Sequence, residues 1–171
     1  MRMDEGLDTG PVYAREVVPI TGEATTPVLL DELATRGARL LVEVLGQLER
    51  GEAEAVPQQD ALATYAPRLS RSDGELSWAM PAVEIDRWVR ALTPWPGTRI
   101  ELGGQRVRLL RGHPDPARAE APPGTVVASE GESVRVACGE GAYDVLQVQP
   151  PGGRSMAAAA YLRGRRPAPA A

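Results

Sequence analysis

The sequence predicts an α+β protein in two unlike parts, and three observations carry that expectation. Residues 26–50 hold apolar side chains at helical spacing. Residues 98–149 hold short alternating segments separated by glycine-rich turns, as a small antiparallel barrel or sandwich requires. The charge changes sign along the chain: residues 1–63 carry 5 Arg against 12 Asp/Glu, and residues 64–171 carry 14 Arg against 11 Asp/Glu. A step of that kind suggests two parts with different partners, the second anionic, although +3 over 108 residues is a modest signal.

Taken in order, PVYAREVVPI at 11–20 reads as a weakly alternating strand closed by Pro19. Thr26 followed by Pro27 marks a helix start, where the missing proline N–H costs nothing. Apolar residues at 29, 30, 33, 40, 41, 44, 45 and 48 form a stripe. Gly37 is expected to break or bend the run and Gly51 to end it. No second strand accompanies this helix before residue 63, so its stripe must bury against the second part, a partner, or the rest of a larger α/β domain. A Met1 so close to the first motif favours an excised piece or a misplaced start. Residues 52–77 are polar and irregular, a natural connection. Pro81 opens a short helix with apolar residues at 85, 88, 89 and 92, stopped before Pro94. Five short strands follow: RIEL, QRVRLL, GTVVAS, SVRVAC and AYDVLQVQ, with a Pro-rich loop at 112–123. SMAAAAYLR reads as a terminal helix.

Composition excludes several classes. No apolar run approaches the ~20 residues of a membrane span, and the first ten residues lack the apolar centre of a signal peptide. The single Cys138 excludes an internal disulfide and a cysteine-based metal cluster, and no other metal-ligand spacing occurs. A cytoplasmic protein is expected. All 19 basic residues are Arg and Phe is absent, so aliphatic residues must fill most of the core.

The sharpest candidate for chemistry is Asp8, in MDEGLDTG at 3–10. A carboxylate before a turn-permissive glycine and a strand can be exposed at a sheet edge. From spacing alone the plain turn aspartate is the stronger reading. Asp-Thr-Gly also occurs in aspartic proteases, but those need two such carboxylates and an apolar strand before each, whereas Asp4, Glu5 and Gly6 precede this one. His113, in a Pro-rich loop, reads as a solvated histidine, and Cys138 as a small buried apolar residue. Arg106 and Arg108 leave one face of a strand; Arg68 and Arg71 flank the connection; Arg87 and Arg90 share a helix face. Scattered guanidiniums of this kind hold backbone phosphates without reading sequence, or form ordinary solvated faces.

Four motifs, MRMDEGLDTGPV at 1–12, TYAPRLSR at 64–71, Trp88 with RALTPWPG at 90–97, and the closing PPGGRSMAAAAYLRGRR, occur in this order and spacing. Together they resemble the methionyl-tRNA formyltransferase family, from the end of its catalytic domain to its C-terminus, over nearly the whole chain. The resemblance implies a Rossmann-like remnant at 1–63, a linker at 64–77, a C-terminal OB-like antiparallel barrel domain at 78–164, and a flexible tail at 165–171. It implies 10-formyltetrahydrofolate as formyl donor and initiator methionyl-tRNA as acceptor, with no DNA and no membrane. In that family an upstream Asn and His stabilise the oxyanion and manage protons, and the carboxylate matching Asp8 orients the His. The turn matching Asp4, Glu5, Gly6 and Leu7 lines the folate pocket, largely through backbone groups. Arg68, Arg71, Arg106 and Arg108 become the expected RNA contacts. The Asn-x-His segment is not in this sequence, so the chain alone is expected to be inactive. An uncovered helix stripe is expected to make it self-associate. Two alternatives stay open: a non-catalytic RNA-binding module, and a fragment of a sugar-nucleotide formyltransferase.

Overall fold

The computed structural model describes residues 1–117 and 119–165. It divides into two compact units, Met1–Arg68 and Leu69–Ala171. The division falls inside the stretch 64–77, and residues 69–77 fold with the second unit.

The first unit is built around one long helix, α1 (Thr26–Glu49). The expected start holds, with Pro27 in the first turn. Gly37 does not interrupt it: a glycine costs a helix interior about 1 kcal/mol, which leaves the surrounding turns intact. At its end Gly51 adopts φ 72°. Its N–H donates to the Leu48 carbonyl and that of Glu52 to Gln47, which satisfies two orphaned carbonyls. Residues 11–20 do not form a strand. Only Val12 bridges, to Val56, through a reciprocal pair of hydrogen bonds of 2.8 and 2.9 Å. An extended segment with no neighbour has nowhere to place its backbone donors and acceptors within a sheet. Arg36 links this segment to the helix by pairing with Glu16 and Glu32.

Burial in this unit is sparse. Of its large apolar side chains Val44 is buried, while Leu30, Leu41 and Leu45 are 61%, 58% and 54% exposed. Leu30, Leu33, Leu41, Leu45 and Leu48 lie within about one third of the helix circumference at 100° per residue, so their exposure forms a continuous apolar face.

The second unit is mixed α/β around one antiparallel sheet. A short 3-10 turn (Arg71–Gly74) leads to α2 (Ala82–Leu92), which begins after Pro81 as expected. Then come β1 (Thr98–Leu102), β2 (Gln105–Asp115), β3 (Val126–Glu130), β4 (Ser133–Ala137), β5 (Ala142–Gln149), the two-residue β6 (Met156–Ala157) and α3 (Ala158–Arg163). The pairing order is β1-β2-β5-β4-β3, with β6 beside β5. β1 and β3 end that order, so the sheet as paired is open. The five expected strands are present. β2 extends further than expected, because its second half pairs with β5 past a bulge: His113 lies opposite Asp144 and Pro114 opposite Tyr143.

Alternation along the strands sends one face into the core. Ile100, Leu102, Val107, Leu109, Val134, Val136, Tyr143, Val145 and Val148 are buried there with Ile85 and Val89 of α2 and Ala158 and Ala159 of α3. Leu76 and Trp78 complete it, and the Trp78 indole N–H donates to the Glu101 carbonyl at 2.5 Å. The opposite faces of β1 and β2 carry Arg99, Glu101, Arg106 and Arg108.

Candidate catalytic turn and basic cleft

The turn at residues 3–10 is held by its own side chains. Asp4 Oδ1 accepts from the Thr9 hydroxyl at 2.6 Å and from the Gly6 N–H at 3.1 Å. Gln58 reaches back from beyond the helix, its amide donating to the carbonyls of Asp8 (2.7 Å) and Gly10 (2.8 Å). This closure holds Asp8 at φ 58°, the left-handed region. Aspartate tolerates that region better than most residues, yet a side chain other than glycine there is uncommon. Among the described residues no other non-glycine adopts it. The carboxylate of Asp8 is exposed and unused by the fold, as are the side chains of Glu5 and Leu7. Asp4 differs: its carboxylate holds the turn closed. The arrangement presents one exposed carboxylate on a turn closed by Asp4 and Gln58.

In the second unit the sequence-expected arginines separate into two kinds. Arg71 is exposed in the 3-10 turn, while Arg106 and Arg108 share the outer face of β2 as expected; Arg68 ends the first unit. Arg90 is committed elsewhere, pairing at 2.8 Å with the buried Asp86. That carboxylate also lies 3.5 Å from the Tyr143 hydroxyl, whose pKa is driven up chiefly by burial and then by the Asp86 charge. Asp86 and Arg90 are therefore structural.

Sequence reasoning did not find the companions of Arg106 and Arg108. Register places Arg99 of β1 opposite Arg108. Glu75 bridges to β1 at Arg99, and its carboxylate sits 3.6 Å from Arg99 and 3.1 Å from Arg106. Arg108 has no carboxylate partner among the described residues. Its Nη2 donates to the Pro94 carbonyl at 3.2 Å, its Nη1 lies 3.5 Å from Gln149 Oε1, and its buried Nε has no acceptor. Arg99, Arg106, Arg108 and Gln149 line a cleft of about 390 Å³ with Val107 and the turn Pro150–Gly152. The one available signal was the GG turn at 103–104, which pairs RIEL with QRVRLL and so sets Arg99 across from Arg108.

A second ionic cluster lies on β4 and β5. Arg135 holds Asp144 with two bonds of 2.7 Å and reaches Asp115 at 3.1 Å. The guanidinium keeps the Asp144 carboxyl below the usual carboxylate range, and the same hydrogen bonds hold Arg135 firmly protonated. His113 stands exposed on β2 opposite Asp144, in a strand rather than the loop expected. Cys138 is buried, which pushes its thiol up to about 11.

The sequence matches the formyl transferase C-terminal domain over residues 68–166. The chain belongs to that family. The match covers the sheet, α2 and the basic cleft. Curated relatives extend over the first unit as well. The chain is 47% identical to the methionyl-tRNA formyltransferase of Granulibacter bethesdensis over 97% of its own length and 51% of the relative's. It is 40% identical to that of Heliobacterium modesticaldum, over 99% and 56%. It spans about half the length of the curated relatives it matches. Among solved structures, HypX from Aquifex aeolicus in complex with tetrahydrofolic acid superposes with a TM-score of 0.68 at 22% identity, covering 93% of this chain and 28% of that one. The N-formyltransferase from Helicobacter canadensis, in complex with folinic acid and dTDP-3-aminofucose, gives 0.64 at 14%, covering 84% and 52%. At those identities the likeness is one of fold.

Proposed function

We propose that the chain is the C-terminal half of a methionyl-tRNA formyltransferase, which moves a formyl group from 10-formyltetrahydrofolate to the amino group of methionine carried by initiator tRNA. The observation that carries this reading is the extent of the 40–47% identity to proteins of that name: it runs through the turn, the helix and the sheet together. The sugar-nucleotide alternative rests on a likeness of fold at 14% identity.

On this reading residues 1–63 close a Rossmann-like catalytic domain, 64–77 connect, and 78–164 form an OB-type domain that holds the tRNA. The uncovered face of α1 supports it, since a stripe of that length belongs against other structure. Asp8 is a positioning carboxylate for a histidine supplied from elsewhere in the enzyme. Asp4, Glu5, Gly6 and Leu7 form one wall for the folate, whose contribution when bound is the formyl group itself. Arg68, Arg71, Arg106 and Arg108 contact tRNA phosphates. The setting is cytoplasmic, and the chain alone binds tRNA without formylating it.

The test is to mix the purified chain with 10-formyltetrahydrofolate and charged initiator tRNA. The tRNA should be retarded on a native gel at low salt, with no formyl-methionine above background. Formyl-methionine would overturn the incompleteness of the site; absence of retardation would overturn the tRNA reading.

A further inference from the structure

The guanidiniums of Arg99, Arg106 and Arg108 line the cleft on the outer face of β1 and β2, and the Glu75 carboxylate pairs with two of them. We propose that this cleft binds a single phosphate group, and that Glu75, paired with Arg99 and Arg106, is an internal competitor for those two guanidiniums which the phosphate displaces. The inference deepens the tRNA reading and rests on it only for the source of the phosphate.

The charge count is the first reason. Glu75 serves both Arg99 and Arg106, at 3.6 and 3.1 Å, so neither pair is fully compensated. Arg108 has no acid at all among the described residues, and its Nε has no acceptor. A buried guanidinium donor without a partner costs free energy comparable to a lost hydrogen bond. An anion with several oxygens can take donors from Arg99 and Arg106 together and offset the excess charge beside Arg108. Forked guanidinium donors match phosphate oxygens in spacing and plane.

Shape and position are the second. A cleft of about 390 Å³ has room for a phosphate with part of the group attached to it. One wall is strand backbone in fixed register; the other is the turn at Pro150–Gly152, which Gln149 ties down by donating to the Gly153 carbonyl at 2.9 Å. The backbone that carries the arginines is therefore already in place, so only side chains need ordering on capture. Glu75 is 35% exposed in its side chain, so it can swing to water without stranding a buried charge.

The experiment uses the full chain, its Glu75→Gln and Arg106→Gln variants, and two probes: inorganic phosphate followed by amide NMR shifts, and initiator tRNA followed by binding across a salt series. Phosphate should shift the amides of Arg99, Arg108, Gln149 and Gly152, at lower concentration in Glu75→Gln than in the parent. Glu75→Gln should tighten tRNA binding about 3- to 10-fold. Arg106→Gln should weaken it by a similar factor and reduce the slope of log K against log salt by about one. Variant effects on tRNA without shifts from inorganic phosphate assign the site to the RNA backbone. Phosphate shifts in the cleft without any tRNA binding keep the site and sink the tRNA reading. Binding of tRNA that neither variant changes overturns the cleft and leaves the tRNA reading standing. Were Glu75→Gln to misfold, Arg106→Gln decides, because that side chain is 62% exposed and holds nothing in the core.

Discussion

The two units of this chain solve the burial problem differently. Leu69–Ala171 wraps its apolar residues inside a sheet and two helices, with Ile85, Tyr143 and Val145 fully covered. Met1–Arg68 carries a comparable apolar stripe on a 24-residue helix and leaves most of it in water. The difference teaches that secondary structure and self-sufficiency are separate properties. α1 has a sound start and a well-made C-terminal cap, yet in folded proteins most helix stability comes from packing an apolar face rather than from caps or propensity. The chain spans about half the length of the curated relatives it matches.

Substitutions sharpen the contrast. Ile85→Ala, in the core of the second unit, should cost about 2–5 kcal/mol by urea denaturation; a loss below about 1 would show that core to be loosely packed. Gly112→Ala is next. A Cβ there would lie 2.2 Å from Tyr143 Cε1 and 2.6 Å from the Asp144 carbonyl oxygen, so overpacking should cost about 1–3 kcal/mol by the same measurement. Arg135→Gln should cost less than about 1 kcal/mol, because the guanidinium is 42% exposed. Its signature is the pH dependence. Asp144 titrates below its unfolded value, so its contribution is complete above about pH 4 and fades as pH falls through the lower folded value. Parent and variant should differ at pH 7 and converge in acid; a constant gap would assign the effect to packing. Smallest of all, Leu45→Ala on the exposed face of α1 should change stability by about 0.5 kcal/mol or less. A loss of several kcal/mol, or one that grows with protein concentration, would mean that a second copy covers the stripe.

Much of the second unit was legible because period and punctuation agree there. Alternation with glycine turns marks β1 to β5, and Pro81 and Pro94 bracket α2. The strand order was not legible, since pairing β2 with β5 joins residues 27 to 41 positions apart and no local pattern encodes it. β2 was read short because Gly112 and Pro114 look like loop residues; a bulge and the partner strand accommodate them. Residues 11–20 were read as a strand from their valines, but a strand exists only where a neighbour accepts its hydrogen bonds. In the candidate sites, Asp8 was visible from its motif, and its left-handed backbone sharpens it. Arg106 and Arg108 were visible from alternation. Glu75 was hidden in a stretch that reads as linker, and Arg99 acquires meaning only once β1 is laid against β2.

The most direct test of the account is the affinity of the full chain for initiator tRNA across a salt series. The proposed phosphate contacts from Arg68, Arg71, Arg106 and Arg108 should make log K fall linearly with log salt, with a slope of about −3 or steeper. Binding that is absent at low salt, or indifferent to salt, would contradict it.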